Sequence, residues 1–119
     1  MRISIYSMFV LCAFLNCGCT SIQGGPGKEI IVDILPGSGI TDSDATNDFS
    51  PYKLKVRAGT EVTWINRDNV IHFVNDKNRS FNSPILLTGD KYTFVFNKPG
   101  EYQYYCEAHR WMRGRIYVR

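Results

Sequence analysis

The chain has 119 residues, which allows one domain of ordinary size. Its formal net charge of +3, from 14 Lys and Arg against 11 Asp and Glu, is too small to indicate a nucleic-acid-binding protein. Only two histidines and four cysteines are present, so any metal site has few possible ligands.

The first 19 residues are predicted to be a signal peptide. Arg2 precedes an apolar run at residues 3–15, which is too short to span a bilayer of ~30 Å as a helix. Gly18-Cys19 resembles a lipoprotein junction, although Asn16 stands where an aliphatic residue is usual. Simple cleavage, a lipid anchor at Cys19 and an uncleaved anchor are all open. Residues 20–27 are predicted to be a flexible tether that leads into a domain at 28–119.

The domain shows alternation typical of β-strands and no helical period of useful length. Between predicted strands lie Gly/Pro turns and one long polar loop at residues 36–51. Short strands joined by such turns predict an all-β, Greek-key sandwich or barrel of seven to eight strands. The strands are expected at 29–35, 52–57, 60–66, 70–74, 91–96, 101–106 and 115–119.

Chemistry is concentrated in a short segment near the C-terminus. Cys106, His109 and Met112 lie within seven residues, and His72 is the only other histidine. Cys106 is the only cysteine beyond residue 19. In an exported protein such a lone cysteine is reactive, paired between chains or bound to metal. Two imidazoles, one thiolate and one thioether form the ligand set of a blue-copper site. Alone, each residue has a plainer interpretation, such as core packing for Met112, but the combination predicts one copper ion.

The sequence resembles the cupredoxins, in particular plastocyanin- and amicyanin-like blue copper proteins. The resemblance is carried by residues 49–56, 59–66, 71–74, 81–83 and 99–106, and by the motif Cys106-x2-His109-x2-Met112 followed by Gly114. It implies that His72, Cys106 and His109 are the trigonal copper ligands and that Met112 is the axial ligand.

Two positions depart from the family pattern. Phe73 stands where the family usually has an asparagine that braces the ligand loop, so that brace is expected to be missing. Ala108 stands where a proline is frequent, and its N–H is expected to donate a second hydrogen bond to the Cys106 sulfur.

A site with these ligands suits an electron carrier rather than an enzyme, because it leaves no open position for substrate. The predicted function is therefore single-electron transfer between redox partners, by a monomer in the periplasm or on the outer face of the cytoplasmic membrane. Copper storage, delivery or sensing is the alternative, a metal-free adhesion module is a third, and zinc is the rival metal.

Partner proteins are expected to dock beside the ligand loop. His109, Arg110 and Trp111 are predicted to form a small apolar patch with a basic rim. Four arginines against one glutamate at residues 107–119 also suggest an acidic partner, although a solvated arginine-rich surface explains the same charges.

Overall fold

Residues 21–40 and 48–119 are described by a computed structural model, in which eight strands form two sheets. The predicted signal peptide, Cys19 and the centre of the polar loop lie outside these residues. The strands are β1 (Glu29–Ile34), β2 (Phe49–Ser50), β3 (Lys53–Val56), β4 (Thr60–Asn66), β5 (Asn75–Asp76), β6 (Lys91–Phe96), β7 (Gly100–Tyr105) and β8 (Arg113–Val118). Within this part of the chain, no helix is long and apolar enough to cross a membrane.

The first sheet has the order β2-β1-β4-β6 and the second has the order β3-β8-β7-β5. In each sheet one pair of strands is parallel, β1 with β4 and β3 with β8. The predicted all-β sandwich is therefore confirmed. The alternation that predicted β3 and β8 places their apolar side chains inward and their cationic side chains outward.

Aromatic side chains from both sheets and from the 81–83 segment fill the space between the layers. Trp64 is fully buried, with ring centroids 5.5 Å from Phe81 and 5.4 Å from Tyr104. Tyr104 packs against the backbone of Gly114 so closely that a Cβ at residue 114 would overlap its ring. Gly114 therefore leaves room for the Tyr104 ring where β7 pairs with β8, the strands that hold the two ends of the 106–112 loop.

Predicted and observed strands differ most around His72. Residues 70–74 do not form a strand; His72 makes an isolated bridge to Leu86, and β5 begins at Asn75. Val70, expected to face inward with His72 and Val74, is 39% exposed, whereas His72 and Val74 are fully buried. Without regular extended geometry, alternation no longer assigns every second side chain to one face.

Candidate metal centre

Three potential ligands meet at one end of the sandwich. The Cys106 sulfur lies 3.8 Å from Nδ1 of His72 and 3.7 Å from Nδ1 of His109, and all three atoms lie within 4.8 Å of one another. Among the described residues, no other group of His, Cys, Asp or Glu side chains converges in this way.

The spacing of these atoms fits a single bound ion. A nitrogen about 2.0 Å and a sulfur about 2.3 Å from a common metal, set about 120° apart, are themselves about 3.7 Å apart. Both observed sulfur-to-nitrogen distances match that value within about 0.1 Å. The donor set of one thiol and two imidazoles therefore has both the chemistry and the spacing of a trigonal metal site.

The β7–β8 connection carries Cys106, His109 and Met112. Cys106 follows the last residue of β7, and its N–H donates to the Met112 carbonyl at 3.2 Å. The Met112 N–H in turn donates to the His109 carbonyl at 2.9 Å, which gives the loop a turn between its histidine and its methionine. Cys106 and Met112 are fully buried, whereas His109 is half-buried. One face of the site is therefore closed, and the His109 side approaches solvent.

His72 reaches the site from the segment between β4 and β5. Its main-chain N–H and C=O form hydrogen bonds with the main chain of Leu86 at 3.1 and 2.9 Å, and these bonds fix the position of the His72 backbone. The next residue, Phe73, donates its backbone N–H to the Cys106 sulfur at 3.4 Å. A hydrogen bond to sulfur stabilises a thiolate and withdraws electron density from it.

A brace for the ligand loop is present but comes from an unexpected residue. The side-chain oxygen of Asn75 accepts a hydrogen bond from the Glu107 N–H at 3.2 Å, and its amide nitrogen donates to Asn82 Oδ1 at the same distance. Phe73 has no polar side-chain atom, so the brace expected at residue 73 is missing there, and Asn75 provides one instead. No sequence pattern reveals this contact, because it depends on the pairing of Asn75 with Tyr105 at the end of β7.

The Cys106 sulfur receives only one backbone hydrogen bond within the described part of the chain. That bond comes from Phe73, and the Ala108 N–H makes none to the sulfur. The expected second donor is therefore not in place, because the chain at Ala108 does not direct its N–H at the sulfur.

Asp68 was not identified from the sequence, although it holds the second nitrogen of His72. Its Oδ2 lies 2.8 Å from His72 Nε2, and both side chains are buried. Three main-chain N–H groups also donate to this carboxylate, namely those of Gly37, Gly39 and Asn69 at 3.0, 3.2 and 2.8 Å. Its own N–H is held by Asn66 Oδ1 at 2.9 Å.

The burial of His72 and its contact with Asp68 determine the protonation state and the tautomer of the imidazole. Burial raises the pKa of Asp68, but hydrogen bonds from Gly37, His72, Asn69 and Gly39 outweigh it and leave that pKa below its usual value. Burial lowers the pKa of His72 and outweighs the opposing hydrogen bond to Asp68, so the imidazole is neutral at neutral pH. A neutral imidazole beside a carboxylate keeps its proton on Nε2. The lone pair on Nδ1 is therefore directed at the site.

The segment 37–40 covers the His109 side. The Trp111 Nε1–H donates to the Ser38 carbonyl at 3.2 Å, and the Trp111 and His109 ring centroids lie 5.4 Å apart. A Cβ at Gly39 would come within 3.2 Å of two atoms of the His109 ring. The absence of a side chain at residue 39 is therefore what leaves room for the ring.

Comparison with known sequences agrees with this site. Residues 39–119 match the family model described as copper binding proteins of the plastocyanin/azurin family. Amicyanin from Paracoccus denitrificans is 34% identical over 91 residues, which cover 72% of this chain and 69% of the relative. Amicyanin-alpha from Methylorubrum extorquens is 32% identical over 75 residues, covering 59% of this chain and 63% of that protein. This chain thus spans just under two thirds of the length of Amicyanin-alpha.

Solved structures give the same result for the fold. A purple cupredoxin from Nitrosopumilus maritimus is 37% identical, with a TM-score of 0.68, and the match covers 75% of this chain and 98% of that one. A copper-containing nitrite reductase from Thermus scotoductus is 27% identical with a TM-score of 0.63. The match covers 86% of this chain but only 24% of the reductase, so the likeness is to one part of that enzyme.

Proposed function

Because the chain belongs to the plastocyanin/azurin family of copper binding proteins, we propose that it carries single electrons through one type 1 copper. His72, Cys106 and His109 bind the ion in a plane, and Met112 is the weak axial ligand. The observation that carries the proposal is the convergence of one thiol sulfur and two imidazole nitrogens within 4.8 Å. Copper in such a site changes between Cu(I) and Cu(II) with little movement of its ligands.

The burial of the site favours a carrier over an enzyme. Catalysis at a metal requires a position that substrate can reach, whereas His72, Cys106 and Met112 are fully buried. Only the His109 side approaches solvent, which suits the exchange of an electron rather than of a ligand. The same burial disfavours copper delivery, since a delivery site must release its ion to a partner.

A visible absorption spectrum of the full chain with added Cu(II) tests the copper site. We expect an intense thiolate-to-copper band that bleaches with reductant and is absent from Cys106→Ala. Weak colour that is unchanged by Cys106→Ala would reject the type 1 site. Electron self-exchange compared with copper release to a chelator then separates the carrier from the delivery protein, since a carrier exchanges electrons quickly and retains copper.

Partner proteins are proposed to dock at the copper end, next to His109, Arg110 and Trp111. Exposed aliphatic side chains lie close in sequence to Gly39, to His72 and to Leu86, the bridge partner of His72: Ile40, Val70, Ile71, Ile85 and Leu87 are between 38% and 80% exposed. We call these five residues the copper-end patch. Gly39 connects the patch to the site, because it lies beside both Val70 and the His109 ring. Small apolar patches of this kind suit short-lived redox encounters.

Electron self-exchange tests the patch without a known partner, because two copies must approach through the same surface. We expect Ile85→Lys to slow self-exchange, since it places a charge in a contact between two copies. Val95→Lys is the matched control: Val95 is 41% exposed on the outer face of the first sheet, close to the 47% of Ile85. Equal effects of the two variants, or unchanged exchange in Trp111→Ala and Arg110→Glu, would contradict docking at this end.

Export is proposed from the sequence of residues 1–19, with the mature protein acting as a monomer outside the cytoplasm. Support comes from the apolar run at 3–15 and from a domain with a single cysteine. Mass spectrometry of the protein from membrane and soluble fractions tests the open routes. A diacylglyceryl mass at Cys19 indicates an anchor, simple cleavage gives a lighter soluble form, and an intact cytoplasmic chain would refute export.

A further inference from the structure

The two outer faces of the sandwich carry charges of opposite sign. On the second sheet the strands and the residue after β5 present cations outward, namely Lys53, Lys55, Lys77, Arg113 and Arg115. Glu101 is the one carboxylate that the described strands of this sheet direct outward. The first sheet presents Glu29, Asp33 and Glu61 together with Lys91, and Arg67, the residue after β4, pairs with Asp33. The molecule therefore has a basic face and a more acidic face.

Strand register gathers four of the cations around one groove. Arg115 of β8 lies opposite Lys53 on one side and Gln103 of β7 on the other. Lys77 joins the same row, since its N–H donates to the Gln103 carbonyl at 2.9 Å. Arg113 lies two residues before Arg115 on β8. With these three cations, Tyr52 and Gln103, it lines a groove of about 420 Å³. We call this the basic groove; no carboxylate lines it.

The charges of the basic groove are poorly neutralised within the protein. Arg115 lies 3.4 Å from Glu101, but both side chains are more than two-fifths exposed. Lys77 donates to the neutral amide of Gln103 at 3.2 Å, and Lys53 lies 5.9 Å from the centre of the Tyr52 ring. Within the described residues Arg113 has no side-chain hydrogen bond or ion pair. The like charges of neighbouring cations in the groove repel one another, so a negatively charged ligand would relieve the repulsion.

We propose that the basic groove is a second docking site, which takes a carboxylate-rich segment of a redox partner. From Lys53 on β3 to Lys77, which directly follows β5, the cations span the width of the sheet, about 14 Å at about 4.8 Å between strands. That width suits a run of several acidic residues better than one small oxyanion. Arginine also binds carboxylates in a two-pronged geometry that gives such contacts direction.

The location of the groove connects it to the copper site. Gln103 is three residues before Cys106 on β7, about 10 Å along the strand, and Arg113 directly follows Met112. A partner held here is close to the ligand loop without covering His109. The acidic outer face of the first sheet would repel the same partner, so the charge asymmetry would also orient the encounter. The role of this surface in electron transfer depends on the proposed function, but the binding itself does not.

Binding of a hexaglutamate peptide to the full Cu(I)-loaded chain tests the proposal by NMR. We expect shifts of the amides of Gln103, Arg113 and Arg115, with an affinity that falls as salt is added. Arg113→Glu should weaken binding by up to about fivefold, since each surface charge pair contributes up to about 1 kcal/mol. Lys91→Glu, on the first sheet, changes the net charge equally and should have little effect. Lys77→Glu provides a second variant in the groove.

Three outcomes would overturn the proposal. Equal weakening by Lys91→Glu and Arg113→Glu would mean that only net charge matters. Inorganic phosphate that produces the same shifts at the same concentration would indicate a site for small anions. Absence of any shift would mean a solvated basic surface. If the protein lacks the blue band but still binds the peptide, the proposed copper function is rejected and the proposed binding at the basic groove is kept.

Discussion

The carboxylate of Asp68 lies 2.8 Å from Nε2 of His72, and it connects that ligand to a segment about thirty residues earlier in the chain. Four N–H groups, three from the main chain and one from the imidazole, surround the carboxylate. Since each of these neighbours donates, only an ionised carboxylate satisfies them all. Asp68 is therefore the residue that turns the free nitrogen of His72 toward Cys106.

Replacement of this carboxylate should change the copper affinity. In Asp68→Asn the amide has one accepting oxygen, so its NH2 group faces either His72 or the N–H groups of Gly37 and Asn69, and the group it faces loses its acceptor. The negative charge beside the imidazole is lost in both orientations. Outer contacts of this kind change metal affinity by about 10- to 100-fold, and we expect a loss of that size for Cu(II). Cu(I) should lose less, so the reduction potential rises, by about 59 mV for each tenfold difference. Competition titrations and voltammetry measure both quantities.

The control for that variant is Asp33→Asn, which removes an exposed carboxylate paired with Arg67 at 2.9 Å. It lowers the net negative charge equally and is expected to leave the potential unchanged. A shift of similar size in both variants would assign the effect to overall charge instead of to the contact with His72.

The stability of the copper-free protein should fall in acid. Burial holds the pKa of His72 below its usual value, so as the pH falls below about 6.5 the unfolded chain takes up a proton there before the folded chain does. Stability is thus greatest above the unfolded pKa and declines as the pH falls. The pKa of Asp68 is also lowered, which adds a further loss below about pH 4. Urea unfolding at several pH values measures how the free energy of unfolding depends on pH. His72→Gln should reduce this dependence in the less acidic part of the range, where His72 takes up its proton. An unchanged slope in His72→Gln would show that His72 is not responsible.

Removal of the proposed axial ligand should retain the fold and shift the potential. Met112→Leu conserves volume in a fully buried position and should change the free energy of unfolding by less than about 1.5 kcal/mol. Loss of a sulfur donor destabilises Cu(II) more than Cu(I), because the higher charge gains more from each donor. The potential should therefore rise while the blue band persists. An unchanged potential would remove Met112 from the ligand set.

The brace at the base of the ligand loop is tested by Asn75→Ala. This variant loses the bond to the Glu107 N–H and the bond to Asn82, and each buried hydrogen bond contributes about 1 kcal/mol. Asn82→Ala loses only the second bond, so the difference between the two variants reports the brace itself. We expect Asn75→Ala alone to broaden the copper absorption band, since Cys106 adjoins Glu107. If both variants give the same spectrum, the brace does not position the ligand.

Steric space beside His109 is tested by Gly39→Ala. The added methyl would overlap Val70 and press on the His109 ring, so we expect weaker copper binding and a loss of about 1–3 kcal/mol of stability. Gly37→Ala is the control, because a Cβ at residue 37 meets nothing within 4 Å and only the left-handed backbone at φ +89° is strained. Copper affinity that falls equally in both variants would argue against a steric role for Gly39.

What the sequence by itself determined was the all-β class and the set of probable ligands. Strands β4 and β6 were predicted with their observed limits because alternation and turn residues are local signals. The ligands were predictable because few residue types suit copper and the chain contains only two histidines and one cysteine beyond residue 19.

What only the tertiary structure decided was how those ligands are held and charged. Asp68, Asn75 and the Phe73 N–H act through contacts with residues about thirty positions away, such as Gly37 and Cys106. Similarly, the basic groove exists because strand register aligns cations from separate strands. Hydrogen bonds and electric fields depend on distance in space, and sequence patterns report only distance along the chain.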